Sequence, residues 1–600
     1  MKLHSIRICG YKRIEDSTFF FGDTTFLIGP NNVGKSSVLS AIEELFSANE
    51  KLDEYCYHSK LDDITGDNIQ IKNEVVLEAE LRDVPREAEN WKGFKGRIIP
   101  YEPLDSSESG LSIIYRKHYP VNGKCCREMK TFKRILKPEL ASAKTPADLI
   151  QKGMPENSVT SIFPDISRKI PKILDALDEL NEAWDIDCAN QEWALNPGGF
   201  HSLVAHRLPL FIVIPAEYSP NELDAKKGGL ATIMTQLFKE IKETSINFSE
   251  AQRYLSLLEK ELDPSDVTSS FGEMMCDLNK VMNSIFPNTK IHANANLSNP
   301  ETSIVPQFDI NMSSNVKTPV LHQGTGMVRS AIFALIKFRN EWFQKKGRQP
   351  NKNIFIAFEE PELYLHPNAA NQMRDTIYNL SEDSSQIVCT THSTYMIDLA
   401  RKPRQVLNSM SFFNDTIQST AFSLSDAFKN LSDSDRTYVK MILKMDDYCS
   451  RVFFAKKVIV VEGDTEDIIL RETFQRLPQH IKELVYSEVQ ILKARGKGAI
   501  IPIIKYLKSF KINFFVIHDR DSSILKAEQF NQPIEDAMGS IDNIVMLREN
   551  IEDCLGCPHK QNDKPYNAYH FAQQWGDGWD SIPKKWRMVI EKVLHEYFRN

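Results

Sequence analysis

Short, unbroken apolar runs recur along this chain, and each stops at a glycine, an acid or a histidine. Thr25 to Ile28 leads into Gly29, Ile354 to Phe358 into Glu359 and Glu360, and "QIVCTTHS" (386–393) into His392. Later, "VIVVEGDTED" (Val458 to Asp467) ends its run at Glu462, and "INFFVIHDRDSS" (512–523) ends at His518-Asp519-Arg520-Asp521. Runs without alternation are the pattern of strands buried on both faces of a parallel sheet. Such sheets bind ligands at the carboxyl edge of their strands, where these terminal polar residues would stand. Between the runs the spacing becomes helical. Val38, Leu39, Ile42 and Leu45 follow the first run, and Leu230, Ile233, Met234, Leu237 and Ile241 share one face of "LATIMTQLFKEI". "AQRYLSLLEKEL" repeats that spacing without a sustained heptad, and residues 295–320 alternate as hairpin strands do. The pattern predicts an α/β protein with a helix-rich segment between its sheet-forming parts.

The first centre is assembled from separated pieces. Residues 24–46 read "TTFLIGPNNVGKSSVLSAIEELF", and Gly29-x-x-x-x-Gly34-Lys35-Ser36 lies between a strand and a helix. That is the P-loop pattern, whose backbone N–H groups wrap phosphates at a helix N-terminus. Gly29, Asn31, Asn32, Gly34, Lys35, Ser36 and Ser37 are therefore candidate nucleotide ligands. Lys35 would reach the terminal phosphates of ATP and Ser36 a Mg²⁺ ion. Adjacent residues on a strand face opposite ways, so Glu359 and Glu360 should do different work. Glu359 would join the Mg²⁺ shell, and Glu360 would orient or deprotonate the attacking water. His392 is placed to sense a γ-phosphate, and "HQGTGMVRSAIFALIKF" (322–338) opens a helix with a glycine turn. A lone histidine or a glutamate pair would be an ordinary cap or surface feature; their order along the chain makes them a site.

The second centre is acidic. Glu462 ends one apolar run, and Asp519 and Asp521 follow another, with the basic turn "ARGKG" between them. If the two strands are neighbours in a parallel sheet, the three acids converge. If the second strand continues far enough, the i, i+2 spacing puts both aspartates on one side. Clustered carboxylates repel unless cations sit among them, and oxygen-only donors suit Mg²⁺ or Mn²⁺ rather than zinc. Two such ions about 4 Å apart support phosphodiester hydrolysis.

The order P-loop, glycine-led helix, acid-ended strand and His-ended strand resembles the ABC-type ATPases of the SMC, RecN and RecF kind. That likeness implies "HQGTG" as the signature loop, "PELYLHP" as the D-loop, and Arg13 or Lys12 of "SIRICGYKRIED" near the nucleotide. It also implies two facing heads, hence a homodimer or higher homo-oligomer. The glutamate-then-Asp-x-Asp set resembles the Toprim domain. Both in one chain resemble the OLD (overcoming lysogenisation defect) family of nucleases, found in phage-derived genes and in antiphage systems of the Gabija and retron-associated kinds. The resemblance implies a DNA endonuclease or nickase with ATPase activity, using ATP and Mg²⁺ or Mn²⁺. Glu462, Asp519 and Asp521 would be both catalytic and metal-holding, with Glu466 and Glu552 as further metal ligands. A C-terminal basic residue would be drawn from Lys584, Lys585 and Arg587 of "PKKWRMVI". A companion defence component, a helicase or a reverse transcriptase with its nucleic acid among the options, is left open. Two rivals come from other classes: an ATP-driven DNA sensor or clamp with a silent Toprim fold, and a topoisomerase- or primase-like enzyme. The expected division is 1–160 and 291–445 for the ATPase, 161–290 for a helical insertion with a dimerisation role open to it, and 446–600 for the Toprim domain with a helical extension.

Composition limits this picture without redirecting it. With 600 residues more than one core is expected, and 42% hydrophobic with 26% charged residues is a globular balance. A net charge of −8 argues against coating nucleic acid all over but allows a local basic groove. No apolar run approaches the roughly 20 residues of a membrane span, and "MKLHSIRICGYKR" lacks the core of a signal peptide. The ten cysteines are scattered, as in a reduced cytoplasmic protein. Cys554-x-x-Cys557 with His559 falls short of a zinc set.

Overall fold

The computed structural model describes the chain except residues 62–67, 104–105, 107, 164–176, 178–179, 198–203, 205–206, 217–233, 235–237, 239–245, 249, 252, 255–268, 270–271, 275, 278–279, 281–310, 314–316, 320–321, 325, 330, 333, 337, 339–352, 364, 383–384, 399–400, 402–403, 414–415, 424–430, 446, 558–562 and 600. Two compact units are present, one of residues 1–213 with 352–600 and one of 214–351.

In the first unit, Glu74–Arg82 alternates buried and half-buried positions after its exposed first residue, the mark of a strand with one face on a core. It lies in an antiparallel sheet ordered 184–195, 126–136, 111–120, 74–82, 2–11 and 14–20, with Ile99–Pro100 beside 111–120. The unbroken apolar runs form a second sheet, ordered 210–214, 354–359, 386–390, 24–28, 405–413 and 416–423. Strands 354–359, 386–390, 24–28 and 405–413 run parallel, and 416–423 closes the edge antiparallel. Helix Lys35–Phe46 joins the two sheets. Its Val38, Leu39, Ile42 and Leu45 share one core with Ile6, Ile8 and Leu77 of the first sheet and Leu27, Phe355 and Val388 of the second. Cations from the antiparallel sheet close the far end of this helix. Fully buried Lys117 donates to Glu44 O at 2.7 Å and Ser47 O at 2.6 Å, and Arg127 donates to Ala48 O at 3.1 Å. Positive charge there complements the helix dipole, although burial pushes the Lys117 amine down to about 8.

A third sheet, all parallel, is ordered 489–493, 457–461, 514–518 and 544–546. Its Val461 and Ile517 pack with Ile469 and with Trp586, Ile590 and Val593 of helix Lys584–Val593. Trp586 is fully buried and donates from Nε1 to Thr473 Oγ1 at 2.8 Å. Trp586→Ala should therefore cost about 3–5 kcal/mol, read as a lowered denaturation midpoint; a loss below about 1 kcal/mol would contradict this anchoring role.

The helical insertion expected over 161–290 needs correction. Trp184–Leu195 pairs with Cys126–Leu136, and Leu210–Ile214 joins the parallel sheet, because these stretches carry aromatic and β-branched residues that suit a pleated surface. The second compact unit accordingly starts at Ile214 and continues to Asn351. The helices expected at 230–241 and 251–262 lie largely outside the described residues. Of the expected hairpin region, Asn311–Ser313 pairs antiparallel with Lys317–Pro319. Within the same unit, buried Arg329 donates twice to Pro215 O, at 3.2 and 2.7 Å. Among the described residues no helix is long and apolar enough to cross a membrane.

Candidate active sites

Strand register gathers the first site at one sheet edge. Glu359 stands opposite Thr390, and Thr390 opposite Leu27, so three neighbouring strand ends deliver Glu359-Glu360, Thr391-His392 and Gly29 together. Gly29 has φ +147°, and a β-carbon there would fall 2.4 Å from Met410 O, so the loop requires glycine. Asn31, Asn32 and Ser36 are exposed, Ser37 is half-buried, and Arg13 Nη1 donates to Asn32 O at 3.0 Å. Lys35 is buried. Its Nζ donates to Gly29 O and Pro30 O, both at 3.0 Å, and lies 2.7 Å from His392 Nε2. Burial and then the Lys35 charge push the His392 pKa down, which makes its neutral ring the acceptor. The His392 N–H donates to Glu360 Oε2 at 3.1 Å. Glu360 leaves the strand at φ +41° with its own N–H on Thr390 O at 3.0 Å. The two glutamates therefore differ in backbone conformation, Glu359 ending the strand and Glu360 lying beyond it. His322, Gln323 and Gly324 of the expected signature loop belong to the other compact unit.

The acidic strands are neighbours. Val461 lies opposite Ile517, which sets Glu462 beside the start of the Asp-x-Asp segment. The strand stops at His518, however, and Asp521 has φ +53°, so the i, i+2 rule of a strand does not govern the two aspartates. Asp521 Oδ2 instead takes a hydrogen bond from buried Lys497 Nζ at 3.1 Å. Glu549 shapes this loop: its carbonyl accepts the N–H groups of Arg520 and Asp521 at 2.9 and 3.0 Å. Glu466 is buried, and its Oε2 accepts the Gly463 N–H at 2.9 Å. Asp467 is occupied by Arg471 at 2.7 Å and Lys493 at 3.6 Å.

The electrostatics bind these acids into one cluster. Burial, then Glu466, Glu462, Asp521 and Glu552, push the Asp519 carboxyl up to about 9. Burial, Glu466 and Asp521 raise Glu462 to about 7, against Lys497 and Lys564. Glu462 Oε2 and Asp519 Oδ1 are buried without a hydrogen-bond partner among the described residues. Among the described residues no group of three or more His, Cys, Asp or Glu is arranged to hold a metal ion outright. The donor chemistry nevertheless fits a hard divalent cation: oxygen atoms only, two of them unpartnered, in carboxylates that raise one another's pKa.

Of the C-terminal bases, Lys584 and Lys585 are exposed, the Lys585 charge reaches Cys554, and Arg587 pairs with Asp580. The cations that act on Glu462 are Lys497 and Lys564, neither of which was singled out from the sequence. Lys497, the lysine of "ARGKG", opens a helix, a signal that was legible; Lys564, after residues 558–562, had no comparable one. His518 is buried and neutral, its pKa pushed down to about 4 by burial, with Nδ1 3.0 Å from Asp519 O. Cys554 and Cys557 are free thiols.

A short connector contacts elements that belong to both centres. Ser450 Oγ donates to Thr394 O, two residues beyond His392, at 2.7 Å. Phe453 packs edge-on against Phe510 at 5.2 Å, in the residue closing helix Lys497–Ser509. Lys505 of that helix meets Asp435 of helix Asp433–Met445 at 2.6 Å.

Comparison with known proteins agrees with this two-centre arrangement. Residues 1–397 match the family described as AAA ATPase domain. Residues 453–521 match the one described as Overcoming lysogenization defect protein-like, TOPRIM domain. The Old nuclease of Escherichia phage P2 is 27% identical over 352 residues, 56% of this chain and 58% of that protein. The OLD nuclease of Thermus scotoductus is 24% identical over 290 residues, 45% of this chain and 52% of that protein. The chain thus spans little more than half the length of either relative. An SMC head bound to the C-winged helix domain of ScpA covers 72% of this chain and 100% of its own at 12% identity and a TM-score of 0.33, too loose a likeness to argue from. With the ATPase family spanning most of its length and the Toprim match beyond it, the chain belongs to the AAA ATPase domain family and is an OLD-family ATPase–Toprim fusion.

Proposed function

We propose that this chain is an ATP-regulated, divalent-metal-dependent DNA endonuclease or nickase that hydrolyses phosphodiester bonds at its Toprim acids, in the service of antiphage defence. The observation that carries the reading is the pair of buried, unpartnered oxygens, Glu462 Oε2 and Asp519 Oδ1, in a cluster of mutually repelling carboxylates. Glu462, Glu466, Asp519, Asp521 and Glu552 would hold Mg²⁺ or Mn²⁺, which when bound supplies an activated water and charge for the leaving oxygen. Lys497 fixes Asp521, and the Lys564 charge acts on Glu462 and Glu466 and would help hold a phosphate. At the other centre, Lys35 and the P-loop N–H groups would bind ATP, Glu360 would take the proton of the attacking water, and His392 would read the γ-phosphate. Two copies facing each other would complete that site. The antiphage role rests on the family resemblance. The test is nicking of supercoiled plasmid: dependence on Mg²⁺ or Mn²⁺ supports the reading, and metal-independent nicking contradicts it.

The connector supports the regulatory part. A shift of the loop after His392 would pass through Thr394 and Ser450 to Phe453, Phe510 and the helix led by Lys497. Ser450→Ala is expected to reduce the effect of ATP on cleavage by about fivefold, the equivalent of one hydrogen bond, with both hydrolytic activities preserved. An ATP effect as large as in the wild type would remove this route.

A further inference from the structure

Three residues beyond Glu359 lies a carboxylate that the two-glutamate scheme leaves unused. Glu362 sits in the tight turn after the strand, where the Leu363 N–H bonds Glu360 O at 2.9 Å and the Leu365 N–H bonds Glu362 O at 3.1 Å. Its Oε1 accepts from Thr391 Oγ1 at 2.5 Å and from the Ser393 N–H at 3.2 Å. Thr391 is fully buried, and its Oγ1 also accepts the Ser393 N–H at 2.9 Å. One carboxylate oxygen therefore grips the residue before His392 and the residue after it. The second oxygen, Oε2, is buried and accepts no hydrogen bond among the described residues, and burial together with the neighbouring Glu360 carboxyl raises the Glu362 pKa to about 7. A carboxyl that leaves one covered oxygen unsatisfied is costly to keep, and a surface turn needs no such group.

We infer that Glu362 is a positioning residue of the ATP site, clamping Thr391 and Ser393 so that His392 is presented to Lys35. This inference rests on the reading of the first centre as an ATP site. The geometry downstream of the clamp is specific. His392 Nε2 lies 2.7 Å from Lys35 Nζ, and the His392 N–H holds Glu360 Oε2 at 3.1 Å. Freeing the 391–393 loop would thus disturb the P-loop lysine and the proposed base together. The Glu362 charge also acts on Lys35 and on His392, raising the pKa of each against burial. A residue working in this way affects turnover more than ATP affinity, because the P-loop backbone that wraps the phosphates remains intact.

The test uses the full chain and measures steady-state ATP hydrolysis. Glu362→Ala should lower kcat about tenfold through the loss of the two hydrogen bonds that hold the loop, with KM within about twofold. Glu362→Gln keeps an acceptor oxygen for Thr391 and Ser393 and should recover most of that loss. Should the alanine variant fail to fold, Thr391→Val removes the other side of the clamp with its shape preserved and should show the same kcat loss. An unchanged kcat in Glu362→Ala and in Thr391→Val overturns the inference. A Glu362→Gln enzyme as impaired as Glu362→Ala also overturns it, since the carboxylate would then be acting by its charge. A wild-type chain that turns over no ATP removes the reading beneath it, an outcome distinct from either of these.

Discussion

Asp519→Ala is expected to lower metal-dependent plasmid cleavage by on the order of 10³-fold or more, the worth of several kcal/mol of charge stabilisation. The same substitution should raise the thermal stability of the metal-free chain. Asp519 is half-buried with its Oδ1 fully covered, and burial, then the charges of Glu466, Glu462 and Asp521, hold its carboxyl up at about 9. An acid held that high stays protonated in the folded chain at neutral pH and ionises on unfolding, so removing it removes that cost, as expected of an acid kept for function at a cost in stability. The two readouts together separate a catalytic acid from a structural one. Lost cleavage with a lowered melting temperature would indicate a fold that needs Asp519; undiminished cleavage would remove it from the site.

Glu360→Gln is expected to slow ATP hydrolysis by about 10²–10⁴-fold, the usual contribution of a general base, while ATP still binds. The amide keeps an oxygen for the His392 N–H, so the loop geometry should persist. Lys35→Ala should behave differently and weaken nucleotide binding itself, because Lys35 stands at the centre of the P-loop. Binding of a fluorescent ATP analogue separates the two. Wild-type turnover in Glu360→Gln would assign the base elsewhere.

The strands that end in functional residues were legible because the signal is local. An unbroken apolar run with a terminal acid, as at Val458 to Glu462, announces both a buried parallel strand and its carboxyl edge. The alternation of Glu74–Arg82 was equally visible, though the expected plan drew no sheet from it. Long-range partners were not legible. Nothing in sequence spacing brings Lys564 into the field of Glu462, or buries Lys117 under the end of the P-loop helix, since both follow from how distant elements pack. The strand condition set for Asp519 and Asp521 is not met, because the strand ends at His518 and a left-handed Asp521 then bonds Lys497; the two acids still act on each other within the cluster. Glu362 lay in plain view inside "EEPELYLHP", but only the bonds to Thr391 and Ser393 distinguish it from the acids before it.

The central claim, one chain in which an ATPase governs a metal-dependent nuclease, is tested most directly by supercoiled-plasmid cleavage with Mg²⁺ or Mn²⁺, with and without ATP, beside Asp519→Ala. The account predicts nicking or linearisation by the wild type that needs the metal, changes with ATP and disappears in the variant. Cleavage that persists in Asp519→Ala, or no cleavage under any metal and nucleotide condition, would contradict it.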